Sequence, residues 1–382
     1  MLKRGVLLIG FLSTFSLSLA QHHEAAAETK PATETKVLSA EEAEKEQIKK
    51  ENKEFIDHHL LDAHSFDIMV EKKADGTEHH IGFPLPVIFY DEANGLHAFM
   101  SSEFHHGKEM KDAHGKKYNV VESKGANYAL YHEKIVKTDA SGAITLDDHG
   151  HATNAKVLDL SITKSVLMIL CASLLMIVIF GSMARNYKKS PIPTGAGKLF
   201  EPLVIFIRDE IAIPNIGPKY HKYISYLLTI FFFILFLNVF GLLPFGINVT
   251  GNLAITAALA IFTFIITQFT ANRNYWQHIF WMPGLPFLMK LVMIPIELIG
   301  MIIKPFALLI RLFANMSAGH IVIMSLIAMI YYFQNVIAGV AFPFLTFVLY
   351  LLEILVAFLQ AYIFTMLSAV YFGMANEEHH HE

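Results

Sequence analysis

Between Leu291 and Ala375 the chain is built from side chains soluble in hydrocarbon, with four formally charged exceptions: Glu297, Lys304, Arg311 and Glu353. A charge at the centre of a bilayer costs several kcal/mol, so such residues usually face a water-filled path or a protein partner. Glu297, Lys304 and Arg311 are spaced seven residues apart. On an ideal helix each step of seven drifts by only about 20°, so the three make one polar stripe. Asn315 lies one turn past Arg311, and His320 nearly opposite it, about 13 Å further along. Glu353 and Gln360 are again seven apart and share a face. The chemistry these types support is ion transfer. A guanidinium in hydrocarbon keeps its proton, whereas a histidine and a carboxylate can each take up and release one. Packing roles stand beside this reading: a snorkelling Lys304, a hydrogen-bonded Asn315, or a structural Glu353–Arg311 pair.

The elements that must position these groups are membrane spans. The chain has 382 residues, is 54% apolar and carries a formal net charge of -4, with nearly all Lys, Glu and Asp before residue 225. That division predicts a polar N-terminal part joined to an integral membrane part. No basic block exists, so nucleic-acid binding has no support. The single cysteine, Cys171, lies in an apolar run, so disulfides play no part.

"MLKRGVLLIGFLSTFSLSLAQ" has the basic start, short apolar core and small-residue end of a secretory signal peptide, with cleavage expected after Ala20. The alternative is an uncleaved first helix, and both export the segment that follows. Residues 21–57 are polar: a linker, then a solvated helix from the "SAEE" capping-box pattern at Ser39 to about Phe55. Residues 58–157 carry β-prone runs, "GFPLPVIFY", "YNVVES", "NYALYHEKIV" and "AITLDD", and predict a small extramembrane module. Fourteen histidines lie between His22 and His151, but without the paired spacing of a zinc site, so a solvated surface is expected and no metal or cofactor.

Ser165–Ala184 is long and apolar enough to span. Seven Lys or Arg follow between Arg185 and Lys222, which by the positive-inside rule makes this loop cytoplasmic and the module extracytoplasmic. Within the loop, Phe200, Leu203, Val204, Ile207 and Ile211 recur at helical spacing, predicting an amphipathic helix on the inner membrane face. Ser225–Asn272 contains no Asp, Glu, Lys or Arg and is split by "LLPFGINVTGN", predicting a transmembrane hairpin. Trp276 and Trp281 suit the headgroup level. Apolar segments at about 286–332 and 338–374 exceed a perpendicular span and predict two long tilted helices. The expected fold is therefore an all-α polytopic membrane protein with a small β-containing module before it, the membrane domain covering 158–376 and a tail covering 377–382.

"KPFALLIRLFANMSAGH" together with "LEILVAFLQAYIFTMLSAVYF" resembles subunit a of the F-type ATP synthase, the membrane stator beside the rotating c-ring. "NVFGLLPF", "TGNLAIT" and "IPIELIG" extend the likeness over about 158–376. The signal peptide and long outer extension resemble those of Bacteroidetes-type members. The resemblance implies two offset half-channels passing protons to and from the ring, in a bacterial inner membrane with the C-terminus cytoplasmic. It implies a ring of c subunits, peripheral-stalk b subunits and, indirectly, the catalytic sector as partners. Position by position, Arg311 matches the stator arginine and Gln360 the glutamine near it; Glu297 matches the acidic residue of the cytoplasmic half-channel; Asn315, His320 and Glu353 match the outer half-channel. Some members carry a carboxylate where this chain has His320 and a histidine where it has Glu353, so the pair is exchanged here. Lys304 lies on the same stripe and joins the proton path. The subunit carries proton translocation, not ATP chemistry, and no Walker-type glycine loop occurs. The rival class is a secondary transporter with an intramembrane substrate site, which calls for interrupted helices in repeated halves.

Overall fold

The computed structural model describes residues 62–376 except 73–77, 113–116, 148–151, 191, 244–246, 282–285 and 334–335. The signal peptide, the linker with its expected helix and the C-terminal tail lie outside the described residues.

The module forms from short antiparallel pairings. Strands β1 (Ser65–Lys72) and β2 (Glu78–Pro84) make a ribbon, while β3 (Pro86–Asp91) and β4 (Gly95–Met100) make a hairpin. Strands β5 (Lys108–Lys111), β6 (Lys117–Ser123), β7 (Ala126–Tyr131) and β8 (Lys134–Lys137) follow as a meander. Strand β9 (Leu158–Asp159) returns to pair with β3. Alternation along β3 turns Val87 and Phe89 inward, where Phe104 of the short helix Ser102–His106, Tyr128 and Ile135 complete one buried cluster. Of the expected runs, "AITLDD" departs most. Its described residues form no named strand but the isolated bridge Leu146–Ala152, with the Thr145 amide and hydroxyl donating to the Asn154 side chain.

The chain leaves β9 directly into helix α1 (Lys164–Tyr187), and the junction is well capped. Asp62 accepts from the Thr163 hydroxyl at 2.9 Å and from the Ser165 amide at 3.1 Å, filling donors that a helix start leaves open. Then come α2 (Gly197–Phe206), continued by a π-turn at Ile207–Ala212, and the apolar helices α3 (Ile224–Leu242) and α4 (Leu253–Thr270). The short α5 (Arg273–Phe280) precedes two long helices, α6 (Phe287–Phe333) and α7 (Val336–Asn376). Among the described residues five helices, α1, α3, α4, α6 and α7, are long and apolar enough to cross a membrane. The chain is a mostly helical polytopic membrane protein with a small β-containing module.

One end of the bundle holds the basic loop, α5 and the end of α7: the Asn272 amide donates to the Ala375 carbonyl at 2.8 Å, and the Asn376 side chain to the Tyr223 hydroxyl at 2.6 Å. The other end adjoins the module. Helix α3 is the central element and is far more buried in the protein than α6 or α7. Phe231, Phe232 and Leu237 of α3 meet Leu308 and Leu312 of α6 and Ala361 and Phe364 of α7 in one core. The expected surface helix differs from its sequence reading. Ile207 and Ile211 are fully buried in this protein core, and Phe200, Leu203 and Val204 pack on its edge, so the apolar face of α2 seats on helices as well as on any lipid. The π-turn widens the helix where Pro214 approaches and lets this face continue to Ile216.

Candidate functional site

On α6 the buried stripe is Leu308, Leu312 and Met316, repeating every four residues. Arg311 sits at the edge of that stripe and is half-buried, as are Lys304 one heptad earlier and Glu297 two heptads earlier. The polar stripe therefore borders the α6–α7 interface rather than facing the bundle centre.

At the basic end, a cavity of about 230 Å3 opens between α5, α6 and α7. Its lining includes Asn274, Tyr275 and His278 from α5, Glu297 and Lys304 from α6, and Met374 from α7. A water needs roughly 10–15 Å3 of such space, so several fit. A smaller space of about 10 Å3 continues from it, bounded by Thr263, Thr267 and Gln268 of α4, and by Tyr275, Lys304, Leu308 and Tyr371. Lys304 borders both spaces. Its ammonium donates to Met374 Sδ at 3.9 Å and lies 5.8 Å from the Tyr371 ring centroid. The Tyr226 hydroxyl shares a hydrogen bond with Thr263 at 2.8 Å, so polar groups line this route up to the turn before Arg311.

The second polar region is nearer the module end. The Glu353 carboxylate lies directly against Gly319, occupying the place where a side chain there would begin. His320 is the next residue of α6 and is half-buried. The Lys304–Met374 and Gly319–Glu353 contacts fix an antiparallel register between α6 and α7. That register places Arg311 between the two levels, within about a turn of Gln360, which is buried at 3% exposure. Arg311 and Glu353 are thus at different heights, and no ion pair joins them. Asn315 is exposed on α6, one turn past Arg311 and one turn before the Gly319–Glu353 contact, on the side of the outer group to which the resemblance assigned it.

A buried network that the residue spacing did not reveal braces this region. Asn238 of α3 donates to the Ala357 carbonyl of α7 at 3.1 Å and accepts from Thr250 at 2.8 Å. In the same loop Asn248 donates to the Met316 carbonyl at 3.1 Å, and Ser317 donates back to the Gly251 carbonyl at 3.3 Å. The α3–α4 loop is thereby fastened to α6 within one turn of His320. The only available signal was the density of Asn, Thr and Gly in "NVTGN".

Among the described residues no group of three His, Cys, Asp or Glu is arranged to hold a metal. His64 instead lies between two carboxylates, 2.8 Å from Asp159 and 3.5 Å from Glu133.

The fold and this site define a polytopic membrane protein with ionisable groups at two levels of one helix pair. Residues 166–373 match the ATP synthase A chain family, and residues 55–160 match a domain of unknown function. A protein named ATP synthase subunit a 2 from Chlorobaculum tepidum is 48% identical over 227 residues, 57% of this chain and 64% of that one. ATP synthase subunit a from Chloroherpeton thalassium is 48% identical over 233 residues, 58% of this chain and 69% of the relative. ATP synthase subunit a from Chlorobium phaeobacteroides strain BS1 is 39% identical over 320 residues, 79% of this chain and 92% of the relative. The chain belongs to the ATP synthase A chain family.

Proposed function

We propose that this chain is the proton-channel stator of an F-type ATP synthase membrane sector, with two offset half-channels serving a rotating ring of c subunits. The observation that carries the reading is the placement of polar groups along α6. The Glu297 cavity lies at the basic end, the Gly319–Glu353 contact towards the module end, and Arg311 between them. Glu297 precedes Arg311 by about 21 Å of helix, and Gly319 follows it by about 12 Å.

Protons are taken up from outside near His320 and Glu353 and neutralise a ring carboxylate. The neutral carboxyl can face lipid, which an ionised one could do only at high cost. After almost a full rotation it reaches the inner half-channel at Glu297 and releases its proton. Arg311, with Gln360 within about a turn of it, favours the ionised carboxylate and opposes direct passage between the half-channels. A potential of 100 mV supplies about 2.3 kcal/mol per charge, so several protons drive one ATP. In this reading α6 and α7 lie tilted in the bacterial inner membrane, exposing Ile303, Phe306 and Ile310 beside Arg311 for the ring. The module is extracytoplasmic, the C-terminus cytoplasmic, and b subunits complete the stator. The transporter alternative is not favoured: α6 runs as one helix through Pro295 and Pro305, without the break that a midplane substrate site needs.

Purification of the full chain from its own membranes tests the assignment. A ring of small hairpin subunits should accompany it, and Glu297→Gln in inverted vesicles should cut ATP-driven proton pumping while the ring stays bound. Recovery without a ring, or full pumping by the glutamine variant, counts against the stator or the inner path respectively.

A further inference from the structure

The Glu297 cavity has a second proton-exchanging group that neither the spacing of the intramembrane charges nor the family match singles out. We infer that His278, in the last turn of α5, is a relay residue of the inner half-channel, passing protons between Glu297 and bulk water at the basic end. The inference rests on the stator reading above and adds a residue to it.

Two observations carry it. His278 and Glu297 line one cavity of about 230 Å3, although they come from different helices. The cavity lies at the bundle end where Asn272 binds Ala375, the end at which α5 itself lies. In the other direction the cavity narrows beyond Lys304 to a space of about 10 Å3, with room for about one water. Outward transfer therefore runs towards α5. The titratable groups facing the cavity are Tyr275 and His278 on α5 and Glu297 and Lys304 on α6; α7 contributes the uncharged Met374, with Tyr371 beside Lys304. Among these, the imidazole alone has two ring nitrogens, so it can accept a proton on one side and donate one on the other. Half-buried, it touches both the cavity and its surroundings. The step is a proton exchange alone: Glu297 loses a proton to His278, which loses one to water.

The test uses the intact complex in inverted vesicles, with His278→Ala and His278→Gln compared with the parent for proton translocation across pH. Both variants should assemble and translocate about tenfold more slowly, a modest loss because Glu297 can still exchange with water directly. The shape of their pH profile should differ from the parent's. Added imidazole should restore the alanine variant, whose cavity gains room for it, but not the glutamine variant; parent vesicles in the same imidazole correct for its action as a weak base. Profiles that superimpose on the parent, a loss that imidazole leaves unchanged, or failure of both variants to assemble would each overturn the inference. If Glu297→Gln abolishes translocation while both His278 variants behave as the parent, the inner path stands and the relay alone is wrong.

Discussion

The carboxylate of Glu353 fills the position that a methyl group on Gly319 would need, so two helices meet there only because position 319 has no side chain. The contact is side chain to backbone, and it holds an ionisable group against the turn that carries His320. Gly319→Ala should push the carboxylate away from that turn. Helix propensity favours alanine by about 1 kcal/mol, so the helix itself should not suffer. The expected outcome is an assembled complex with proton-driven ATP synthesis reduced about tenfold or more, since ångström-scale misplacement is costly in proton transfer. Synthesis by vesicles at the parent rate would show that the close approach does not matter.

His320 and Glu353 should behave as members of one path. His320→Ala and Glu353→Ala should each slow proton flux, and the double substitution should cost less than the product of the two effects. The measurement is a double-mutant cycle on flux in assembled complexes. Multiplicative losses would place the two groups on separate routes, despite the contact of Glu353 with the residue beside His320.

The spans and the hairpin were legible in the sequence because each is a long charge-free run, and local composition decides where such a run begins and ends. The stripe from Glu297 to Arg311 was legible for a similar reason: a spacing of seven on one helix fixes a common face whatever surrounds it. Contacts between helices were not. The approach of Glu353 to Gly319 depends on the α6–α7 register, and the cavity depends on α5 folding back against both. Neither leaves a local periodic signal. In the module, β4 was missed because "GLHAFM" begins with glycine and carries a histidine that turns inward, where His97 bonds Ser123 at 2.8 Å.

The joint between the module and α1 should be sensitive to alkaline pH. Burial acts to lower the pKa of His64, but hydrogen bonds and attraction from Asp159 and Glu133 outweigh it and raise the value from an ordinary 6.5 to about 9. A folded-state pKa above the unfolded one gives stability that is complete below about 6.5 and disappears as pH rises through about 9. The shift corresponds to something on the order of 3 kcal/mol. Protease sensitivity of residues 62–164 in the full chain should therefore rise between pH 7 and 10, and His64→Gln should be sensitive throughout with little pH dependence. A flat profile in the parent would mean that His64 does not hold the joint.

Arg311 offers the sharpest division between charge and geometry. Lysine keeps the sign of the charge, so a role resting on charge alone predicts that Arg311→Lys works. A guanidinium stays protonated in an apolar setting and presents a planar fork of donors, whereas a lysine there can lose its proton and offers only a point charge. Arg311 is half-buried at the edge of the α6–α7 interface, with apolar Ile310 exposed beside it, which is the setting where that difference counts. Arg311→Lys should assemble yet support little or no proton-driven ATP synthesis. Arg311→Ala should fail as well, and should in addition let protons leak between the two half-channels, since the fixed cation separating them is gone. ATP synthesis by vesicles under an imposed proton gradient, passive proton conductance, and a check of subunit assembly distinguish these outcomes. Near-parental synthesis by the lysine variant would remove the role given to this guanidinium, because nothing in a charge-only account distinguishes the two side chains.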